Sequence, residues 1–145
     1  MATDDFFMRE ALKEAHKSFE KDEVPVGAVV VANNRVIARA HNLTETLNDV
    51  TAHAEMQAIT AAASYLGGKY LKECTLYVTL EPCLMCAGAL YWAQITRIVY
   101  GATDSKRGFS LYPSSPLHPT TTLTSGILEK ECAAILSDFF KKKRK

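Results

Sequence analysis

No stretch of this chain is apolar for the length that a bilayer crossing needs. Its opening residues, M-A-T-D-D-F-F, are acidic where an export leader would carry a basic segment and an apolar core. Membrane-spanning and exported classes are therefore not expected. An excess of one charge is missing too: 17 Lys and Arg stand against 16 Asp and Glu, a net charge of +1, so no overall field draws the protein onto nucleic acid. Such binding would need a local patch, and the dense one is K-K-K-R-K at residues 141–145. No internal repeat and no linker divides the chain. Cysteine is sparse, at four residues, and without an export signal these thiols point to metal or redox chemistry rather than to a disulfide framework. What remains is the expectation of one cytoplasmic domain over residues 1–145, 48% hydrophobic and 23% charged, with a short basic tail from about 141.

The hydrophobic pattern orders the elements. Met8, Ala11, Leu12, Ala15 and Phe19 recur at helical spacing behind Asp4 and Asp5, so a helix is expected to about Lys21. Residues 24–31 and 35–40 read as two strands turned at Asn33-Asn34. Gly27 inside the first strand has two readings: tight packing of a helix on the sheet, or a strand that forms a pocket wall. After a polar loop at 42–50, Ala54, Ala58, Ala61, Ala62 and Tyr65 mark a second helix closed by Gly67-Gly68. A strand at 75–80 follows, then a third helix opened by Pro82 and running to about Gln94, then a strand at 97–101. Residues 102–119 hold three of the five prolines and no periodicity, a loop of the functional or disordered kind. Leu123 sits in a brief last strand. Leu128, Cys132, Ile135, Leu136 and Phe139 line a final helix that runs into the basic residues. This order is α/β, with helices on both faces of one sheet.

The chemistry lies in T-A-H-A-E at residues 51–55 and T-L-E-P-C-L-M-C-A-G at 79–88. Together they supply His53-x-Glu55 and Pro82-Cys83-x-x-Cys86. One imidazole and two thiolates suit zinc: the thiolates cancel its charge, and three protein ligands leave the fourth tetrahedral position to water, the mark of a catalytic site. Glu55 is then free to carry protons. Cys83 and Cys86, at i and i+3, are expected to share the first turn of a helix, whose N-terminus favours thiolates. His53 and Glu55 cannot share a helix face, but at a helix start both lean toward the N-terminus. Two helix N-termini converging on one ion is the expected geometry. Two other readings compete. A C-x-x-C opening a helix can be a redox pair, which the upstream H-x-E and the preceding proline disfavour. A structural zinc wants a fourth ligand, yet Cys74 and Cys132 lie in apolar patterns and read as small buried hydrophobes, and His16, His41 and His118 read as surface or packing residues. A non-catalytic zinc or redox module would also leave Glu55 without a purpose.

Around these motifs stand E-V-P-V-G-A-V-V-V from Glu23, N-N-R-V-I from Asn33, T-L-Y-V-T-L-E-P-C-L-M-C-A-G-A from Thr75, G-I-L from Gly126 and E-C-A-A-I-L-S-D-F-F from Glu131. In these stretches the sequence closely resembles the bacterial tRNA-specific adenosine deaminases, within the cytidine-deaminase-like superfamily that shares H-x-E with P-C-x-x-C. The resemblance implies a three-layer α/β/α sandwich with a five-stranded mixed sheet, and a homodimer. It implies one Zn2+ per subunit on His53, Cys83 and Cys86, with Glu55 shuttling protons. The implied reaction is hydrolytic deamination of adenosine to inosine at wobble position 34, on the tRNA anticodon stem-loop. By the same resemblance Asn42 holds the target nucleoside and the backbone of Ala54 lies against the base. Asp104 and Lys106 grip the neighbouring nucleotides, and Phe139, Phe140 and the basic tail meet the anticodon loop. The tail also reads as an ordinary solvated terminus.

The chain departs from its relatives after Lys106, where R-G-F-S-L-Y-P-S-S-P-L-H-P-T-T-T has neither the usual small-residue stretch ending in Gly-Ser nor the later Asn-His pair. Val50 also stands where a proline is usual. These departures touch the RNA-binding rim and spare the metal ligands. A deaminase of a free base or nucleoside, of guanine or cytosine type, would use the same catalytic centre and is the runner-up. The E-V-P-V-G segment and the aromatic-basic end favour a splayed anticodon loop over it.

Overall fold

The computed structural model describes residues 2–144, so Lys145, the end of the basic run, lies outside the described residues. Five strands, β1 (Gly27–Ala32), β2 (Arg35–His41), β3 (Cys74–Leu80), β4 (Arg97–Ala102) and β5 (Thr122–Ser125), form one sheet in the order β2-β1-β3-β4-β5. β1 is antiparallel to β2 and β3, whereas β3, β4 and β5 are parallel, so the sheet is mixed. Four helices cover it: α1 (Asp4–Glu20), α2 (Ala54–Leu66), α3 (Leu84–Ala93) and α4 (Glu129–Lys143). Alternate residues of each strand point to opposite faces. Ala28, Val30, Leu76, Val78 and Ile98 thus pack with Ala54, Ala58, Ala62, Ala87 and Leu90 of α2 and α3. Val29, Val31, Tyr77 and Val99 pack with Phe7, Met8 and Ala11 of α1 and Cys132 of α4. The three-layer α/β/α sandwich is as expected.

Local chemistry sets the ends of the elements. The Thr3 hydroxyl accepts from Phe6 N at the start of α1, and Asp4 takes a forked bond from Arg97 at 2.9 and 2.7 Å and another from the Tyr77 hydroxyl at 2.7 Å. Asn33 and Asn34 sit at φ of 50° and 60°, the left-handed pair that turns a tight hairpin. Gly67 at φ 72° closes α2, its N–H donating to Ala63 O.

The structure differs from the sequence expectations in several places. The first strand begins at Gly27 rather than at residue 24, because Pro25 has no N–H for a ladder. Pro82 does not open α3. It precedes the N-cap Cys83, and its carbonyl accepts from Phe109 N at 3.0 Å. The stretch after β4 is not featureless: it holds a 3-10 turn at Phe109–Leu111, with Phe109 buried edge-on against Tyr100. The basic residues through Lys143 form the last turn of α4. Lys143 pairs with Asp22 and Lys142 lies 5.3 Å over the Phe19 ring. Phe139 is buried against Phe19. No helix of the described residues is long and apolar enough to cross a membrane.

Gly27 takes the packing reading. A Cβ there would stand 2.0 Å from Ala11 O and 2.4 Å from Ala15 N, so α1 lies directly on the strand backbone. Backbone atoms cannot yield as a side chain can, and overpacking of this kind costs about 1–3 kcal/mol or more. Gly27→Ala should lower the unfolding free energy, read from denaturant titration, by that amount or abolish soluble expression. A variant as stable as the parent would show that α1 can ride outward without loss.

Candidate active site

The site lies where β2 and β3 end and β1 begins, with α2 and α3 starting beside it. His53 is the N-cap of α2 (φ −69°, ψ 155°) and Cys83 the N-cap of α3 (φ −75°, ψ 175°); both are extended and neither side chain caps its helix. N-cap positions ordinarily hold Ser, Thr, Asp or Asn bonded back to the first turn. Here the two side chains are left free to face each other. Because His53 stands outside the helix proper, its spacing from Glu55 does not separate the two as it would within a turn. Cys83 likewise precedes the first turn rather than lying within it, and Cys86 follows from the turn itself.

His53 Nδ1 lies 3.6 Å from Cys83 Sγ and 3.5 Å from Cys86 Sγ, and the three ligand atoms all fall within 4.8 Å of one another. Tetrahedral zinc, with Zn–N and Zn–S bonds of about 2.1 and 2.3 Å, places such N and S atoms about 3.6 Å apart. The donor set and its spacing therefore fit zinc, with one position left open. Glu55 does not join the ligand group. It is buried, and burial pushes its carboxyl up to about 7. Hydrogen bonding from Cys86, with His53 adding to it, holds the Cys83 thiol down at about 4. Cys86 is pushed the other way, by its bond to Cys83 and by burial. His53 is raised, chiefly through Cys83.

A cavity of about 240 Å³ opens onto these groups. That is below the roughly 300–1,000 Å³ typical of sites for drug-sized ligands. Of the residues nominated from sequence, the cavity is lined by Asn42, His53, Ala54, Glu55, Cys83 and Asp104. Lys106 is exposed on the neighbouring loop and not part of the lining. Phe139 is 3% exposed, beneath α4, and Phe140 is 44% exposed at its surface. His16 is exposed, His41 bonds Glu14 and Lys21, His118 bonds Thr120, and Cys74 and Cys132 are buried and unpaired, all away from the metal ligands as expected.

Three residues escaped the sequence reading. Glu23 is fully buried and accepts from Glu45 N, Thr46 N and the Thr46 hydroxyl at 3.0, 2.6 and 2.7 Å. Burial opposes its ionisation, but the hydrogen bonds from Thr46 and Glu45 outweigh it and hold the carboxyl below the ordinary range. Glu81, also buried, accepts from Asp104 N and Ser110 N at 3.0 and 2.9 Å. Arg107 lines the cavity from the same loop. Each acid precedes a proline by one or two residues within a quoted motif, the sole signal that either ends a strand connection.

Residues 1–102 match the family model of the cytidine and deoxycytidylate deaminase zinc-binding region. The chain is 48% identical to the tRNA-specific adenosine deaminase of Bacillus subtilis over 150 residues, covering 100% of this chain and 93% of that protein. It is similar, with a TM-score of 0.83 and 48% identity, to a structure solved in work on A-to-I editing by tRNA:A34 deaminases at the wobble position of transfer RNA, over 90% of this chain and 99% of that one. A guanine deaminase structure from Bacillus subtilis is similar at TM-score 0.67 and 38% identity, over 70% of this chain and 66% of that one.

Purified protein should carry about one zinc per chain. Cys83→Ala leaves two ligands, so it should lose most of the metal and melt at lower temperature, as should the parent after chelation. Unchanged zinc content and melting temperature in the variant would remove Cys83 from the ligand set.

Proposed function

This chain belongs to the cytidine and deoxycytidylate deaminase zinc-binding family, and we propose that it hydrolyses adenosine to inosine at wobble position 34 of tRNA. The observation that carries this is a His-Cys-Cys set at zinc spacing beside a buried carboxyl, in a cavity sized for one small group. Near-half identity to a tRNA-specific adenosine deaminase along the full chain supports the substrate.

Zinc on these ligands supplies a Lewis acid that brings the pKa of water to about 7. Glu55 moves the protons. With its carboxyl poised near 7, it takes a first proton from the attacking water and passes it to the purine ring, then carries the second, from the new hydroxyl, to the leaving amine. Water and adenosine give inosine and ammonia, with no oxidant needed. Asn42 holds the nucleoside from the cavity wall, where its amide donates to Val24 O and accepts from Thr44 N and is thereby fixed in orientation. The backbone of Ala54 backs the base. Asp104, Lys106 and Phe140 meet the flanking nucleotides, and Phe139 seats the helix that presents Phe140. The target base leaves its stack to enter, so selectivity rests on this rim.

The protein acts as a cytoplasmic homodimer. Its four unpaired cysteines suit a reducing compartment. α3 exposes Leu84, Met85, Tyr91 and Trp92, and exposed apolar side chains at both ends of one helix favour a partner. Trp92 is 76% exposed, so Trp92→Glu should leave the fold intact and shift the particle from dimer to monomer in light scattering. A parent that is already monomeric at assay concentrations would refute the dimer.

The function is tested by incubating zinc-loaded protein with an adenosine-34 anticodon stem-loop and, separately, with guanine, cytosine, cytidine and adenosine. Inosine should form on the stem-loop. Glu55→Ala should cut turnover about 10²–10⁴-fold while keeping its zinc. Turnover of guanine with none on the stem-loop would transfer the assignment to the free-base class.

A further inference from the structure

The loop after β4 brings a cation to the cavity that the reaction as described leaves idle. Arg107 is exposed, lines the cavity beside Asn42, Thr44 and Asp104, and has no ion-pair partner among the described residues. The acids that line the cavity are engaged elsewhere. Glu55 sits at the metal ligands, Glu81 accepts from Asp104 N and Ser110 N, and Asp104 accepts from Lys106 N and Arg107 N, each at 3.0 Å. Arg107 therefore lines the cavity without an ion-pair partner among the described residues, and its donors are available to an anion there.

The segment that carries Arg107 is tightly held. Gly108 N donates to Asp104 O, Phe109 N donates to Pro82 O, and Gly108 forms an antiparallel bridge with the metal ligand Cys83. A Cβ on Gly108 would lie 2.3 Å from the Glu81 carboxyl, so the loop backbone rests directly on that acid. Glu81 itself is 2% exposed. Arg107 is thus adjacent in sequence to a residue bridged to the metal site, and its reach over the cavity is set by a buried carboxylate rather than by a floppy loop. Lys106, its neighbour, is not part of the lining, and an ammonium lacks the planar fork with which Arg grips phosphate in two places.

We propose that Arg107 binds the backbone phosphate adjoining the target adenosine, and that Glu81 is the positioning residue that holds it over the cavity. This rests on the anticodon stem-loop being the substrate, since a free base offers no phosphate. The test measures kcat and KM on that stem-loop over a range of NaCl for the zinc-loaded full chain and for Arg107→Ala, Arg107→Lys, Glu81→Gln and the Arg107→Ala/Glu81→Gln double variant. Losing one charged contact should raise KM about tenfold and lower the slope of log KM against log salt by about 0.7. Lys should restore part of the affinity. In Glu81→Gln an amide N–H replaces one acceptor of the loop, so KM should rise and the slope should fall with zinc retained. Added to Arg107→Ala, the same change should cost little more, because both remove one contact.

Arg107→Ala with unchanged KM and salt slope, on a stem-loop the parent deaminates, would overturn the phosphate contact alone. Loss of zinc in Glu81→Gln, or full additivity in the double variant, would overturn the positioning role. A parent that ignores the stem-loop and turns over guanine would overturn the substrate reading, and this inference with it.

Discussion

The chemistry of this protein depends on three atoms, borne by the starts of two helices, arriving about one zinc-ligand spacing apart. His53 belongs to the entry of α2 and the two cysteines to that of α3, so the heights at which the two helices sit on the sheet decide whether the atoms meet. Small residues control that height. α2 lies on the sheet through Ala54, Ala58 and Ala62, all fully buried, and α3 through Ala87 and Leu90. On the opposite face Gly27 lets α1 approach until its carbonyl would touch an added methyl. Interiors packed this densely pass a displacement on rather than absorb it. A methyl group under α2 would therefore act on His53 even though it touches no ligand.

Around that point two buried carboxylates do for the loops what ladder bonds do for the strands. Glu23 ties down the connection that carries Asn42 and Thr44, and Glu81 ties down the one that carries Asp104 and Arg107. Burying a carboxylate is costly unless hydrogen bonds compensate, and both acids are met by backbone N–H groups within 3.0 Å. The arrangement is cooperative: freeing either loop would strand a buried charge, so neither loop loosens cheaply. The metal ligands thus come from helix starts, and the cavity rim comes from loops fixed by acids that never touch the metal.

The metal ligands and the layer order were legible because each depends on local spacing. His53, Cys83 and Cys86 carry their chemistry in the residue types themselves, and the hydrophobic periods of α1 and α2 are regular. What escaped depends on long-range pairing. Pro82 looked like a helix opener, but its carbonyl is taken by Phe109, 27 positions on, and the helix start moves to Leu84. The stretch around Phe109 has no period because it is organised by one buried carboxylate rather than by a repeating face. Gly27 was ambiguous because its meaning lies in α1, which no local pattern records. The apolar period of the last helix includes Phe139 and not Phe140, and their burial differs accordingly, with Phe19 covering Phe139.

Electrostatics follows the same division between global and local. The net charge of +1 provides no long-range attraction for a polyanion, and among the described residues five of the 17 Lys and Arg are ion-paired within the fold. Lys13 and Arg39 pair with Glu10, Lys17 with Glu14, Arg97 with Asp4 and Lys143 with Asp22. Pairing of this kind lowers a cation's availability to a ligand, least where both groups are exposed, as in Lys143–Asp22. The formal charge count is therefore a poor guide to where an anion would dock. The surviving signal is positional: an arginine in the cavity lining, on a loop anchored to the metal site, with Glu81 and Asp104 already bonded to backbone N–H groups. One such cation, held in place at the cavity, carries a positional signal that a basic run outside the lining does not.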